Sequence, residues 1–306
     1  MRSNEKLKNE ERSKLENFSE KVRNEGVLIA IKKANSYLKS KFKSKVKRRV
    51  INSPPVRYLV RKKIKKNFHE SPIIIGGCGR SGTTLLLTIL GAHPHIYSLP
   101  SETNAFLDWN TEDGNKKFKP NMGRFYRYLI GSDIPEGATR WCEKSPRNVR
   151  HFGKILSFFE NEVKIIHIVR DGRDVTLSHH PKEPNNYWVS PERWVNDVKA
   201  GLEFRDHPQV LTIKYENLIQ SYRQTITKVC DFINEEFSEE LEEWWENSNI
   251  RQDSLPKKAW GDKLDENKQL HTKSISKWEK EENKDRVSEV MQNEDVVKLL
   301  EELDYT

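Results

Sequence analysis

Between residues 72 and 215 short apolar runs rich in isoleucine and valine alternate with longer stretches whose apolar positions recur every three or four residues. The runs at 72–75, 96–99, 163–169 and 210–215 read as strands, and 163–169 (VKIIHIV) is continuous enough for a parallel strand buried on both faces. A further strand at 141–146 is closed by Pro146. Between and after them, 85–90, 148–159, 191–204, 222–232, 241–245 and 287–303 carry the helical period. This alternation predicts a three-layer α/β fold around a mostly parallel central sheet. Residues 104–140 are mixed, with Gly114, Gly123, Gly131 and Gly137 marking loops around aromatic-rich helical pieces, and read as an insertion that contacts a substrate. Residues 249–280 are lysine-rich, polar and loop-like.

A different pattern precedes this core. Residues 1–24 are polar and charged, whereas from Gly26 the apolar positions Leu28, Ile31, Ala34, Leu38, Phe42 and Val46 recur at helical spacing among lysines. Ser53-Pro54-Pro55 breaks this helix, and a second basic piece at 56–68 leads into the first strand. The division expected is a basic amphipathic helical arm at 1–70 and a catalytic domain at 71–306. The 306 residues carry a formal net charge of +8, but residues 1–70 alone hold 22 Lys or Arg against 7 Asp or Glu, so the remainder stands at −7. The basic arm therefore reads either as a helix packed on the core with wet lysines or as an anchor on an anionic membrane surface through residues 27–50. Aromatic side chains for stacking bases are sparse there, so no nucleic-acid partner is expected.

Three widely spaced cysteines, Cys78, Cys142 and Cys230, form neither a disulfide framework nor a metal-ligand spacing. No stretch approaches the roughly 20 apolar residues of a membrane span, and the first residues lack the apolar core of a signal peptide. The expectation is a cytoplasmic protein, peripheral at the inner membrane surface if the arm binds lipid. His179 and His180 are adjacent, so they point apart, and no third ligand lies at useful spacing; no metal is expected.

The chemistry is concentrated where strands end. After 72–75 comes a loop with Gly76, Gly77, Gly79 and Gly82, and then the helical run at 85–90. Glycines let backbone N–H groups turn inward and the helix adds its positive end, so the segment is built to hold an anion. Gly77, four residues, Gly82, Thr83, Thr84 is the P-loop frame with Thr83 in the lysine position, which argues against ATP or GTP hydrolysis. The fixed cation of the loop is Arg80. A second charged strand end is Arg170-Asp171-Gly172-Arg173-Asp174, with Ser178 eight residues after Arg170.

The string Arg80-Ser81-Gly82-Thr83-Thr84-Leu85, with His93-Pro94 after it, resembles the 5′-phosphosulfate loop of sulfotransferases that use 3′-phosphoadenosine 5′-phosphosulfate. Arg170 and Ser178 are similar to that family's arginine and serine for the 3′-phosphate. The resemblance, strongest to the tyrosylprotein and glycan branch, runs from about residue 72 to 278. It implies that Gly79, Arg80, Ser81, Gly82, Thr83, Thr84, Arg170, Ser178, Tyr215 and Lys268 bind the donor, with Tyr215 carried in Lys214-Tyr215-Glu216-Asn217-Leu218. It further implies that Lys144, in a Lys-Ser-Pro string, stabilises the bridging oxygen, and that Arg80 steadies the leaving phosphate. Glu102, in Glu102-Thr103, matches the branch's catalytic base, a histidine being the alternative.

Such a protein moves a sulfuryl group to an acceptor hydroxyl on a glycan, lipid-linked sugar, protein tyrosine or small alcohol. It does so without polyphosphate to neutralise and hence without magnesium. A P-loop kinase and a non-catalytic nucleotide-binding protein are the competing classes. Thr83 and the Arg170/Ser178 pair weigh against the first, and retention of Arg80, Glu102, Lys144, Arg170 and Ser178 together against the second.

Overall fold

The structure is a computed structural model that describes residues 54–107, 109–111, 118–129, 132–180, 183–250, 270 and 272–305. Most of the basic arm, including 27–50, and Lys268 lie outside the described residues. Of the described residues, those in 54–67 and 122–134 belong to one compact unit and those in 68–121 and 135–305 to a second.

In the first unit, helix α1 (Pro54–Asn67) begins at the prolines, whose fixed φ and missing N–H suit the first helical turn. Its Lys63 ammonium donates to the carbonyls of Leu129 (3.3 Å) and Ser132 (2.8 Å). These carbonyls lie in the last turn of a second helix, Met122–Leu129, and just beyond it.

In the second unit, strand β1 (Ile73–Gly77) is followed by helix α2 (Thr83–Leu90) and strand β2 (Ile96–Ser98). The inserted stretch contains an antiparallel pair, β3 (Trp109–Thr111) and β4 (Phe118–Pro120), which the helical reading of 104–140 missed. Three residues per strand are too short for a period of two to register. The Met122–Leu129 helix of the first unit, α3, follows, then β5 (Arg140–Lys144). Pro146 opens a 3₁₀ turn through His151 before α4 (Phe152–Phe158), so the expected helix at 148–159 is divided. Strand β6 (Lys164–Val169), helix α5 (Gly172–Thr176), helix α6 (Pro191–Leu202) and strand β7 (Val210–Lys214) complete the alternation. Helices α7 (Tyr215–Gln220), α8 (Tyr222–Ile233) and α9 (Trp244–Asn247) follow. The expected closing helix is two, α10 (Lys284–Met291) and α11 (Glu294–Glu302). Asn293 causes the break, because its side chain accepts the N–H groups of Asp295 and Val296 and starts the second helix afresh.

The five-stranded sheet has the order β2-β5-β1-β6-β7 with every pairing parallel. Ile73, Ile74 and Ile75 of central β1 are fully buried. On one face Ile73 and Ile75 meet Leu86, Leu87 and Leu90 of α2 and Ile226, Val229 and Ile233 of α8. On the other, Val169 and Val175 meet Trp194 and Val198 of α6 and Val296, Leu299 and Leu300 of α11. These are the three layers that the alternation predicts. The chain leaves β1 toward β2 on one side and returns to β6 and β7 on the other. The carboxyl ends of β5, β1 and β6 are thus neighbours at a switch point, where open α/β sheets bind ligands.

Candidate active site

The loop between β1 and α2 is shaped by two left-handed residues. Arg80 (φ 74°) is one, and Gly82 (φ 94°), which caps α2, is the other. A Cβ on Gly82 would lie 2.4 Å from the ring edge of Tyr215, the first residue of α7, so glycine is required for close approach as well as for φ. Thr83 and Thr84 form the first turn of α2, whose free N–H groups and dipole favour an anion. The Ser81 hydroxyl is buried and has no partner among the described residues.

Arg170 follows β6 one strand away. Its guanidinium lies 4.5 Å from the Tyr215 ring centre and donates to Arg80 O (3.1 Å), Asp174 (3.4 Å) and Ser274 O. The arginine therefore braces the phosphate loop, and its buried Nε has no partner among the described residues. Tyr215 joins the same cluster through a 2.7 Å hydrogen bond with the Ser274 hydroxyl.

Lys277 is the cation that sequence reasoning missed. Loss of hydration, followed by the nearby Arg170 and then Arg80, lowers its pKa, with Asp174 opposing. Arg80 is exposed by area yet walled in enough that desolvation, and then Arg170, lower its pKa as well. Mutual repulsion among Arg80, Arg170 and Lys277, which Asp174 only partly offsets, is what a bound polyanion would relieve. The signal available in the sequence was the Ser276-Lys277-Trp278 string, where the lysine stands beside the tryptophan that packs on Arg173.

The segment after Arg170 is organised by Asp171, which caps α5 by accepting Arg173 N–H (2.8 Å) and also holds the Arg173 guanidinium (2.7 Å). The Trp278 ring lies 3.6 Å from that guanidinium, and the Trp278 backbone N–H donates to Asp174 at 3.1 Å. Glu216 accepts the Asp171 N–H (3.1 Å) and the Tyr305 hydroxyl (2.8 Å), and burial raises its carboxyl above the ordinary value.

Ser178 is not carried on a helix. α5 ends at Thr176, and the chain passes into a bridge between His179 and Tyr187, with Ser178 O accepting Trp188 N–H at 2.7 Å. Ser178 is half-buried in that turn. His179 and His180 do point apart, the first stacked on Tyr187 and the second on Trp188.

At the end of β5, the buried Lys144 donates to Glu102 Oε1 at 2.8 Å. Lys144 sits opposite Ile75 of β1, two residues before that strand ends, so the ion pair stands beside the phosphate loop. Glu102 reaches it from the turn after β2, with its side chain 44% exposed and so open to an incoming hydroxyl. His93 is turned elsewhere: its Nδ1 accepts His95 N–H (3.2 Å), its Nε2 donates to Glu236 O (3.1 Å), and burial lowers its pKa. His93, His95 and Glu235 approach within ligand range of one another. Both His93 ring nitrogens are engaged, however, and His95 Nδ1 already meets Glu235 at 2.8 Å.

A glycine-rich loop opening onto a helix N-terminus, a cationic cluster and a Lys–Glu pair at adjoining strand ends are suited to group transfer from an anionic donor. The chain belongs to the sulfotransferase family, whose model matches residues 72–239. By that membership it is a sulfotransferase. It is 28% identical over 193 residues to a putative protein-tyrosine sulfotransferase of Caenorhabditis briggsae, covering 56% of this chain and 68% of the relative. It is 27% identical over 218 residues to sulfotransferase 2A1 of Macaca fascicularis, covering 62% and 70%. Among solved structures, the sulfotransferase domain of the Synechococcus PCC 7002 olefin synthase superposes with a TM-score of 0.50 at 20% identity, over 74% of this chain and 96% of that one. That likeness bears on the fold.

Proposed function

We propose that the protein transfers a sulfuryl group from 3′-phosphoadenosine 5′-phosphosulfate to an acceptor hydroxyl. The observation that carries the reading is the placement of the Lys144–Glu102 pair beside an anion loop served by Arg80, Arg170 and Lys277. In this reading the Glu102 carboxylate takes the acceptor proton as the hydroxyl oxygen bonds to sulfur. Lys144 and Arg80 stabilise the oxygen of the sulfur–oxygen bond that breaks, and the adenosine bisphosphate leaves. The backbone of residues 79–84 and the Thr83 and Thr84 hydroxyls hold the 5′-phosphate. Arg170, Lys277, Ser178 and Tyr215 serve the 3′-phosphate end, and Lys268 remains a candidate there. Ser81 Oγ and Arg170 Nε, buried and without a partner among the described residues, fit such a ligand, since buried donors are otherwise almost always bonded. The three cations supply the positive charge that the reaction needs, so the reading includes no metal.

For the acceptor, the similarity to the putative protein-tyrosine sulfotransferase of Caenorhabditis briggsae makes a tyrosine hydroxyl one class to test. The basic, amphipathic pattern of residues 27–50 favours a second, a glycan or lipid-linked sugar at the cytoplasmic membrane surface.

Adenosine 3′,5′-bisphosphate tests the donor site. It is expected to raise the melting temperature without added metal, because a ligand that prefers the folded state stabilises it by mass action. Arg170→Ala is expected to weaken that binding by about 1.5 to 3 kcal/mol, the scale of charged hydrogen bonds. Adenosine 5′-phosphate, which lacks the 3′ group, should lose less. An unchanged melting temperature at millimolar bisphosphate rejects the donor assignment.

A further inference from the structure

Glu143 is a fully buried carboxylate that the reaction as described does not use. Its Oε1 accepts the Thr103 N–H (3.1 Å), the Thr103 hydroxyl (2.8 Å) and the Ser145 hydroxyl (2.7 Å). Its Oε2 accepts Asn148 Nδ2–H at 2.8 Å, and that amide also donates to Ile75 O of β1 at 3.2 Å. The two hydroxyls are acceptors in turn, Thr103 Oγ1 from Ala105 N–H (3.1 Å) and Ser145 Oγ from Asn104 N–H (3.3 Å). A hydroxyl has a single hydrogen, so taking in those amides leaves it directed at Glu143. The N–H groups of three successive residues, 103 to 105, therefore end on one carboxylate, either directly or through one hydroxyl.

The left-handed Asn104 (φ 50°) gives the chain the turn that makes this convergence possible. Glu102 is the residue immediately before the tethered stretch. The adjacent strand residue, Lys144, holds the Glu102 side chain while Glu143 holds the backbone behind it. Burying a carboxylate is costly, and burial raises the Glu143 carboxyl above its ordinary value against the pull of Ser145, Asn148 and Thr103. Four donors converge on its two oxygens, and a carboxylate, which has no hydrogen of its own, accepts them all.

We propose that Glu143 is a positioning residue for sulfuryl transfer, fixing the backbone at 103–105 so that the Glu102 carboxylate stands against Lys144 at the strand end. This rests on the reading of Glu102 as the base. Glu143→Gln preserves shape and one acceptor oxygen but sets its amide against Asn148 Nδ2, donor facing donor, so the tether loosens without removing the side chain. Thr103→Val cuts the same tether from the other end.

In the full chain, amide exchange at residues 103–105 is expected to accelerate roughly tenfold in either variant, with α2 unchanged. Transfer of labelled sulfate from the donor to a tyrosine peptide or 4-nitrophenol is expected to fall roughly 10- to 100-fold, the scale of a misplaced catalytic group. Affinity for adenosine 3′,5′-bisphosphate should stay within about twofold. Added to Glu102→Gln, the Glu143→Gln change should cost less than about a further twofold, since it acts through a carboxylate already removed. Unaltered exchange in both variants, or the same loss in the Glu102→Gln background as in the native one, overturns the proposal. A native rate in Glu102→Gln alone would instead overturn the base assignment. The two failures are separable because exchange is read without catalysis.

Discussion

Glu102 and Lys144 divide the work of one ion pair unequally. The lysine is buried and the carboxylate half-open, so the acceptor side of the pair is the one a hydroxyl can reach. Glu102→Gln is expected to lower turnover by roughly 100-fold or more with bisphosphate binding intact, as removal of a general base does. Lys144→Ala should likewise reduce turnover more than donor affinity. Steady-state rates set beside calorimetric affinities separate the two effects.

At the same scale, His167 on β6 gives a prediction about acid stability. Burial lowers its pKa to about 3, against 6.5 ordinarily, so between those values the unfolded chain binds the proton and the folded chain does not. Stability is therefore lost as pH falls below about 6.5, by about 2 kcal/mol at pH 5 from this residue. His167→Gln removes that contribution. Urea denaturation at pH 7 and pH 5 should show the smaller drop in the variant, and equal drops would mean that His167 does not stay neutral in the fold.

At the scale of elements, α2 and its loop depend on one position. Gly82 caps the helix in a left-handed conformation with the Tyr215 ring against its Cα. Alanine there meets both an unfavourable φ, at about 1–2 kcal/mol, and a ring that is itself held by Arg170 and Ser274. Gly82→Ala is thus expected to destabilise the fold by about 1–3 kcal/mol and to abolish most bisphosphate binding, because the displaced ring moves Arg170 with it. Chemical denaturation measures the first effect and titration the second. Normal binding with lowered stability would separate the glycine's backbone role from the site.

At the scale of the whole molecule, the basic arm is expected to carry membrane attachment. Residues 27–50 lie outside the described structure, whereas α1 is tied to the turn after the Met122–Leu129 helix through Lys63. A comparison that tests the arm should therefore keep α1. The full chain is expected to float with anionic liposomes, with high salt weakening the attraction, and a chain beginning at Ser53 is not. Equal behaviour of the two removes the reason to prefer a membrane-displayed acceptor. Among the described residues no helix is long and apolar enough to cross a membrane.

The alternation of β-branched runs and helical periods determined the parallel three-layer sheet, because both signals are local and strong where a strand is buried on two faces. Glycine spacing and Arg80 marked the phosphate loop for the same reason: backbone permissiveness is written at the residue that needs it. The antiparallel pairing of 109–111 with 118–120, the split at Asn293 and the early end of α5 were not legible, since each turns on a few hydrogen bonds or on pairing between short segments. Lys277 and Glu143 belong with them. A lysine among many lysines and a glutamate among many glutamates gain their meaning only when folding brings Arg170 beside one and three amides of a distant turn onto the other. Local chemistry thus announced the glycine-rich strand end and its arginine, and long-range contact alone decided which charged side chains gather beside it and which turn the buried Glu143 ties.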